Sequence, residues 1–334
     1  MQVSEPLIIA EFCQNHKGDR NLLKEMIWEA AGSGATYAKI QSMLADDLTF
    51  RERFEDGARD GEKQITIKRP YQPEYERLKP MDMTDADHLW FAEECKRAGI
   101  LPLTTIFSRS RIPFIVGLGW EAVKVASYDC ASLPMLRELK DNFKHLFIST
   151  GATYDSEIRQ AAELLQGSSF SFLHAVTIYP TPLNEFHLAR MEYLRQLTPS
   201  VGLSDHSLVA RDGIKASQVA LSLGASVIER HFTVLPAEAT KDGLVSINPQ
   251  QLKQLVDFSR LNKEQQEDFV HREIPDYEQT MGQSMRNLSQ AEELNRDYYR
   301  GRFASRVGNG FVYNWEDKPV IFTENQRVQG KQNE

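Results

Sequence analysis

The sequence predicts a closed (β/α)8 barrel, and three observations carry this prediction. Eight short runs rich in Val, Ile, Leu and Phe recur between residues 7 and 233, and segments with helical spacing separate them. Glycine ends several of these segments just before the next run, as a left-handed helix C-cap requires. Polar side chains gather where the runs end. Eight strand-and-helix units are typical of a barrel, whereas the alternative, a doubly wound open sheet, has no reason to stop at eight.

The apolar runs are the predicted strands, and the segments between them are the predicted helices. The strands are expected at residues 7–12, 37–41, 101–106, 122–127, 145–150, 170–176, 201–205 and 226–233. Helical spacing of apolar residues predicts helices at 22–31, 85–98, 156–165, 213–223 and 249–262. Thr84 before an acidic turn and Asn248 before Pro249 are start signals for two of these helices.

Two stretches depart from this alternation. Residues 43–83 interrupt the second unit with many charges and with Tyr71, Tyr75 and Pro80, and barrel active sites are built from such loops. After residue 265 the pattern decays into Gln, Glu, Asp and Arg, followed by a short aromatic segment at 311–322. We therefore predict a barrel domain over residues 1–268 and a C-terminal extension over residues 269–334 that packs on the barrel or on a partner subunit.

Composition and charge argue against several classes of protein. The net charge of −8 disfavours non-specific binding to nucleic acid or to a membrane surface. No apolar stretch approaches the roughly 20 residues that span a bilayer, and the N-terminus lacks the basic and apolar segments of a signal peptide. The 3 widely spaced cysteines do not make a disulfide framework. A cytoplasmic location is therefore expected.

Ionisable and hydroxyl side chains lie at or just past the C-terminal ends of the predicted strands, where barrels carry their chemistry. These residues are Glu11, Lys39, Gln41, Thr104, Thr105, Lys124, Ser127, Ser149, Thr150, His174, Tyr179, Ser204, His206, Glu229 and His231. Lys39 and Lys124 lie inside apolar runs, and a buried lysine requires a counter-charge. Glu11 could serve one of them, whereas the phosphate and carboxylate of a bound ligand would serve both. The ligand is the favoured interpretation.

Two histidines end apolar runs, so parallel strands would bring His206 and His231 to the same end of the sheet. Such a pair is typical of a divalent metal site, although either histidine alone is also compatible with a satisfied buried polar group. Ser149 begins the stretch Ser-Thr-Gly-Ala-Thr before a helix, a position that favours phosphate. Asp242 follows the last strand and either reaches over the mouth of the barrel or is a solvated turn residue.

The ordered motifs of the chain resemble those of the sialic acid synthase family. They are Ile8-Ile-Ala-Glu11, Asn15-His-Lys-Gly18, Ala38-Lys-Ile-Gln41, Val123-Lys-Val-Ala-Ser127, Ile148-Ser-Thr-Gly151, Ile178-Tyr-Pro-Thr-Pro182, Gly202-Leu-Ser-Asp-His206 and the stretch from Gly224 to Thr233. The resemblance covers residues 7–265 in unbroken order. It implies a (β/α)8 barrel enzyme that condenses phosphoenolpyruvate with an acylated amino-hexose aldehyde of the N-acetylmannosamine kind. The products would be phosphate and a nine-carbon 3-deoxy-2-keto acid of the sialic, legionaminic or pseudaminic type.

The resemblance also implies roles for individual residues. His206 and His231 would hold a divalent metal, Mn²⁺ before Mg²⁺ or Co²⁺, and Glu11, Gln41 and Asp242 would face the sugar and its proton transfers. Glu11, Asp242 and the two histidines are the predicted catalytic residues. Phosphoenolpyruvate would be held by Lys39, Thr105, Lys124, Ser127, Ser149, Tyr179 and Ser204. A homodimer that binds neither nucleic acid nor membrane is expected.

Four features depart from the pattern of this family. Thr177 stands where the family has Asn, the segment between the two histidines is a few residues longer, the loop at 43–83 does not align clearly, and no antifreeze-like domain is recognisable after the barrel. In the family, that domain lends an arginine to the sugar site of the partner subunit. Two alternatives therefore stay open: a phosphoenolpyruvate-dependent enzyme acting on a phosphorylated or shorter aldose, and a non-catalytic sugar-binding barrel.

Overall fold

Eight parallel strands close into a barrel in the computed structural model of the chain, which describes residues 5–308, 310–317 and 320–321. The strands are β1 (Leu7–Glu11), β2 (Tyr37–Ser42), β3 (Leu101–Ile106), β4 (Ala122–Val125), β5 (His145–Ser149), β6 (Phe170–His174), β7 (Val201–Asp205) and β8 (Val227–His231). Consecutive strands pair with each other, and β8 closes the barrel against β1. The predicted fold class is confirmed, and each predicted strand ends within 2 residues of the observed one.

A helix lies after each strand of the barrel. These helices are α1 (Arg20–Gly32), α2 (Asp85–Ala98), α3 (Ile112–Gly117), α4 (Leu133–Asn142), α5 (Asp155–Leu164), α6 (Arg190–Arg195), α7 (Lys215–Ser222) and α8 (Pro249–Ser259). The prediction did not include α3, α4 and α6, and α3 and α6 span only 6 residues each, too few for a readable period. Helix α8 ends before residue 262 because the Asn262 side chain caps the next helix by accepting from the Gln265 amide.

The interior of the barrel changes from apolar to polar along its axis. At the N-terminal end, Ile9, Leu103, Phe147, Leu173 and Val227 form a compact apolar cluster. Side chains two residues apart on a strand share a face, so the next inward layer on four of these strands consists of Glu11, Thr105, Ser149 and Glu229. The C-terminal end of the barrel is therefore the end that can hold a polar ligand.

The predicted interruption after β2 is a folded insertion at the C-terminal end of the barrel. It contains the helices Arg53–Asp56 and Tyr71–Leu78 and a hairpin of Ala58–Asp60 with Lys63–Thr66. Met43, Leu48 and Leu78 of the insertion form an apolar cluster with Phe303, which comes from the far end of the chain. The insertion and the C-terminal extension therefore pack against each other.

The C-terminal extension crosses the same end of the barrel. It follows α9 (Lys263–Glu273) and contains α10 (Gln290–Tyr299) and the antiparallel strands Ser305–Val307, Gly310–Val312 and Val320–Ile321. Asn295 of α10 donates to the Thr177 carbonyl over 2.6 Å, and Arg51 donates to the Tyr298 carbonyl over 2.6 Å. The predicted boundary after residue 268 falls inside α9, and the division into two domains stays a prediction. Phe322, at the end of the predicted aromatic segment, lies outside the described residues.

All three cysteines, Cys13, Cys95 and Cys130, are buried and free, in agreement with the expected absence of a disulfide framework. Within the described ranges, none of the helices combines the length and the apolar character that a bilayer span requires.

Candidate active site

The C-terminal ends of the strands surround a cavity of about 570 Å³. This volume is within the range of roughly 300–1,000 Å³ that is usual for small-molecule sites. The residues predicted for the site all line it, and they are Glu11, Lys39, Gln41, Thr105, Lys124, Ser127, Ser149, Tyr179, Ser204, His206, His231 and Asp242. The structure thus brings the whole predicted set together, while the chemical role of each residue stays a prediction.

Lys39 is buried at the floor of the cavity. Its ammonium group donates to Thr105 Oγ1 over 2.8 Å, forms an ion pair with Glu11 and lies 3.7 Å from a Glu229 oxygen. Burial lowers the pKa of Lys39 to about 8, although the nearby Glu229 carboxylate acts in the opposite direction. Glu11 therefore provides one counter-charge for this lysine, and the binding of a ligand anion by Lys39 stays a prediction.

Lys124 is the second buried cation of the floor. Its ammonium group donates to Ser149 Oγ over 2.7 Å and lies 4.0 Å from Glu229, which also accepts from Ser204 Oγ over 2.8 Å. Burial raises the pKa of Glu229, but Lys124 and Lys39 outweigh this effect and leave that pKa below its usual value. Sequence reasoning gave Glu229 no role, although it shares a strand face with His231.

Cations outnumber carboxylates in the lining of the cavity. Among the described residues, 6 Lys and Arg side chains and 4 Asp and Glu side chains line it. The cations are Lys39, Arg69, Arg77, Lys124, Lys241 and Arg302. A concave surface with an excess of one sign of charge concentrates ions of the opposite charge. The cavity therefore favours an anionic ligand even though Glu11 and Glu229 lie between the two buried lysines.

The two predicted metal ligands lie next to each other, with 5.3 Å between the ring centroids of His206 and His231. The Tyr179 ring lies 4.2 Å from that of His206. Nδ1 of each histidine is buried and has no hydrogen-bond partner within the described residues. Burial lowers the pKa of both imidazoles, which favours the neutral form that binds metals. These residues therefore fit the divalent metal that the family resemblance implies.

Cys13 and Asp242 lie beside His231. One ligand atom from each of these three residues falls within 4.8 Å of the other two. The Cys13 thiol donates to Asp242 Oδ2 over 3.0 Å and accepts from Gln41 Nε2 over 3.1 Å, and burial raises its pKa well above the usual value. Asp242 thus reaches the mouth of the cavity. Sequence reasoning missed Cys13, and the available signal was its place just after Glu11 at a strand end.

A fully buried ion pair supports the strand ends that carry the histidines. Arg230 pairs with Asp205, and neither side chain is accessible to solvent. Arg230 also donates to Ser207 Oγ over 2.9 Å and to the Gly213 carbonyl over 3.0 Å. Asp205 and Arg230 directly precede His206 and His231 in the chain, so the pair fixes the ends of β7 and β8 relative to each other.

The C-terminal extension lines the cavity as well, through Asn295, Tyr299, Arg302 and Asn314. Tyr299 stacks on Tyr128 with 4.8 Å between ring centroids, and Arg302 forms an ion pair with Glu74 of the insertion. Sequence reasoning identified none of these residues, because their place at the cavity depends on how the extension folds back.

The closed (β/α)8 barrel has a cationic mouth, two buried lysines and two histidines whose Nδ1 atoms lack a hydrogen-bond partner among the described residues. These features are those of a barrel enzyme that acts on an anionic substrate. The NeuB family model matches residues 26–270, and the chain belongs to the NeuB family. The predicted membership of the sialic acid synthase family is therefore confirmed. The predicted class of enzyme, a phosphoenolpyruvate-dependent condensing synthase, is confirmed with it.

Individual relatives are similar over most of their length. The chain is 32% identical over 261 residues to the N,N'-diacetyllegionaminic acid synthase of Legionella pneumophila, which covers 76% of this chain and 71% of that protein. It is 27% identical over 316 residues to a pseudaminic acid synthase of Campylobacter jejuni, covering 93% and 85%. The crystal structure of the N-acetylneuraminic acid (sialic acid) synthetase from Leptospira borgpetersenii, in complex with citrate, gives a TM-score of 0.66 at 28% identity, covering 81% and 92%. These names differ in the product, so similarity selects none for this chain.

Proposed function

We propose that this protein condenses phosphoenolpyruvate with an acylated amino-hexose aldehyde of the N-acetylmannosamine kind to give a nine-carbon 3-deoxy-2-keto acid and phosphate. The observation that carries the proposal is the pair of buried lysines, Lys39 and Lys124, each hydrogen-bonded to a hydroxyl group at the floor of one cationic cavity. Buried ammonium groups beside hydroxyls suit a ligand with a phosphate and a carboxylate. The product names of the similar synthases support the same class of product.

The residues of the cavity would contribute to the reaction mainly by binding and orienting the substrates. A bond forms between C3 of phosphoenolpyruvate and the aldehyde carbon, water adds at C2, and the tetrahedral species then loses phosphate. Lys39, Lys124, Ser149 and Thr105 would hold the anionic groups and point C3 at the aldehyde. Ser127, Ser204 and Tyr179 complete the predicted phosphoenolpyruvate contacts, while Gln41 is predicted to face the sugar.

Proton transfer is assigned to the carboxylates at the mouth of the cavity. Glu11 is already paired with Lys39 and accepts from the Cys13 amide over 2.5 Å, whereas Asp242 is only partly buried. Asp242 is therefore the better placed of the two to exchange a proton with a bound sugar. A divalent metal held by His206 and His231 would polarise the aldehyde oxygen as a Lewis acid. Mn²⁺ as the native ion, a homodimer and a cytoplasmic location are part of the proposal.

A direct assay tests this function. Purified protein with Mn²⁺, phosphoenolpyruvate and a panel of acylated hexosamines should release phosphate and form a keto acid of matching mass with at least one sugar. Turnover with a phosphorylated aldose alone would instead support the different-aldose alternative. Absence of phosphate release across both panels, with metal bound, would contradict the proposal and favour the non-catalytic barrel.

The pH dependence of phosphoenolpyruvate binding follows from Lys39. With a pKa of about 8, Lys39 is charged at pH 7 and loses its charge as the pH rises, so we expect kcat/KM for phosphoenolpyruvate to fall above pH 8. A bound phosphate stabilises the ammonium form, so kcat should fall only at higher pH. Lys39→Arg, which stays charged, should remove the alkaline fall. Steady-state kinetics between pH 6.5 and 9.5 check this, and a flat native profile would contradict it.

We also propose that the C-terminal extension forms the sugar end of the cavity. Arg302 pairs with Glu74, Glu74 also holds Arg77, and Arg77 donates to Gln14, the neighbour of Cys13. This chain of contacts places Arg302 on the side of the cavity where Gln41 and Asp242 are predicted to face the sugar.

Replacing Arg302 should therefore affect the sugar more than the phosphoenolpyruvate. We expect Arg302→Met to raise KM for the amino sugar by about tenfold or more, since a hydrogen bond to a charged group contributes about 1.5–3 kcal/mol. The KM for phosphoenolpyruvate should change little. Arg306→Met is the matched control, because Arg306 lies on the same extension but is exposed. An equal rise in both KM values would contradict the assignment.

A further inference from the structure

Cys13 lies in the lining of the cavity beside His231 and Asp242, and the proposed reaction gives it no role. We infer that its sulfur is a third protein ligand of the divalent metal that His206 and His231 would hold, with Asp242 beside it. The inference deepens the proposed function and rests on the metal site that this function includes. It assigns a role to a residue that lies between two sequence motifs, Ile8–Glu11 and Asn15–Gly18.

The geometry supports this role. Ligand atoms of Cys13, His231 and Asp242 lie within 4.8 Å of one another, which is close enough for one ion to contact all three after small movements. The thiol and the carboxylate already meet over 3.0 Å, and they do so in the lining of the cavity. His231 offers a buried Nδ1 that has no partner in the described part of the chain, as does the adjacent His206.

The backbone at Cys13 also argues for a requirement of the side chain. Cys13 has φ of 45°, in the left-handed region that favours glycine. A residue with a Cβ is strained there, and such strain persists where the side chain is needed. The Cys13 thiol forms hydrogen bonds with two polar groups, Asp242 and Gln41, and it lies in the lining of the cavity.

A cysteine ligand changes which metals the site prefers. Thiolates are soft ligands that favour Zn²⁺, Co²⁺ or Fe²⁺ over Mn²⁺ and Mg²⁺. The thiol hydrogen that now points at Asp242 is released as a proton when the sulfur binds the ion, and Asp242 Oδ2, 3.0 Å from the sulfur, is placed to accept it. The affinity of the site should therefore be higher for Co²⁺ or Zn²⁺ than for Mn²⁺, so that Mn²⁺ is the native ion only through its availability in the cell.

The experiment is a titration of the metal-free, full-length protein with Co²⁺, followed by absorption spectroscopy. We expect a near-ultraviolet thiolate-to-cobalt charge-transfer band that saturates at one Co²⁺ per chain. Cys13→Gly should abolish the band and weaken Co²⁺ binding by about 100-fold, since even outer contacts of a metal ligand change affinity by 10–100-fold. Cys95→Ala should keep the band, because Cys95 lies in α2 within the apolar core.

Stability separates loss of the ligand from loss of the fold. Glycine relieves the left-handed strain at position 13, so the unfolding temperature of metal-free Cys13→Gly should not fall below that of the native protein. X-ray absorption of the zinc-loaded native protein should show one sulfur at about 2.3 Å.

Three results would overturn the inference: cobalt bound without the charge-transfer band, a band that survives in Cys13→Gly, or no cobalt bound at all. The readout is independent of turnover. A protein that binds cobalt through Cys13 but releases no phosphate would refute the proposed function and keep this inference.

Discussion

Replacing Lys124 with methionine should lower kcat/KM for phosphoenolpyruvate by about 1,000-fold, the largest effect on activity that we expect. The Lys124 ammonium is buried beside Ser149 and Glu229, so it can stabilise negative charge in a region with little water. Loss of one preorganised donor of this kind costs about 100-fold to 1,000-fold in rate, and loss of a full charge belongs at the upper end. Steady-state phosphate release at saturating sugar measures the change.

A matched variant separates this effect from a general effect of charge. Lys144 lies just before β5, at the opposite end of the barrel, and its only ion pair is an exposed one with Glu121 in the described part of the chain. Lys144→Met removes the same charge and should leave kcat/KM within about twofold. Circular dichroism of Lys124→Met should match the native spectrum. A folded Lys124→Met with near-native kcat/KM would contradict the proposed anion site.

The largest effect on stability should come from the buried pair behind the histidines. Arg230→Met should lower the free energy of unfolding by about 3–5 kcal/mol, because Asp205 would remain as a charge without its partner in a site that excludes solvent. Urea denaturation followed by fluorescence and by circular dichroism measures the loss.

A double substitution and an exposed arginine provide the controls. Arg230→Met combined with Asp205→Leu should recover part of the stability, because an apolar pair of similar volume carries no uncompensated charge. Arg211→Met should have a much smaller effect, since the Arg211 side chain is exposed although its partner Asp212 is buried. Equal losses of unfolding free energy for Arg211→Met and Arg230→Met would show that burial of the arginine does not determine the destabilisation.

Strand alternation made the floor of the cavity predictable. Lys39 and Gln41 share a face of β2, and both line the cavity. Position at a strand end was not sufficient by itself. Thr104 donates to the Ile40 carbonyl over 3.2 Å, and His174 donates to the Phe186 carbonyl over 2.5 Å, so these two side chains satisfy nearby backbone groups away from the cavity.

The rest of the site depends on contacts that periodicity does not encode. Cys13 and Asp242 meet although 229 positions separate them in the chain. The counter-charge role of Glu229 requires that β2, β4 and β8 point their side chains at one spot inside the barrel. A hydrophobic pattern describes one element at a time, so it locates strands and helices but not the partners of a buried charge.

The rim of the cavity is completed by residues near the end of the chain, including Asn295 and Arg302. During translation, all eight barrel strands and both floor lysines leave the ribosome well before these residues do. The strands are therefore available for folding before Asn295 and Arg302, which line one side of the cavity, have been synthesised. On the proposed assignment of Arg302 to the sugar, the residues that recognise the sugar join the cavity after the strands and lysines of the barrel have been synthesised.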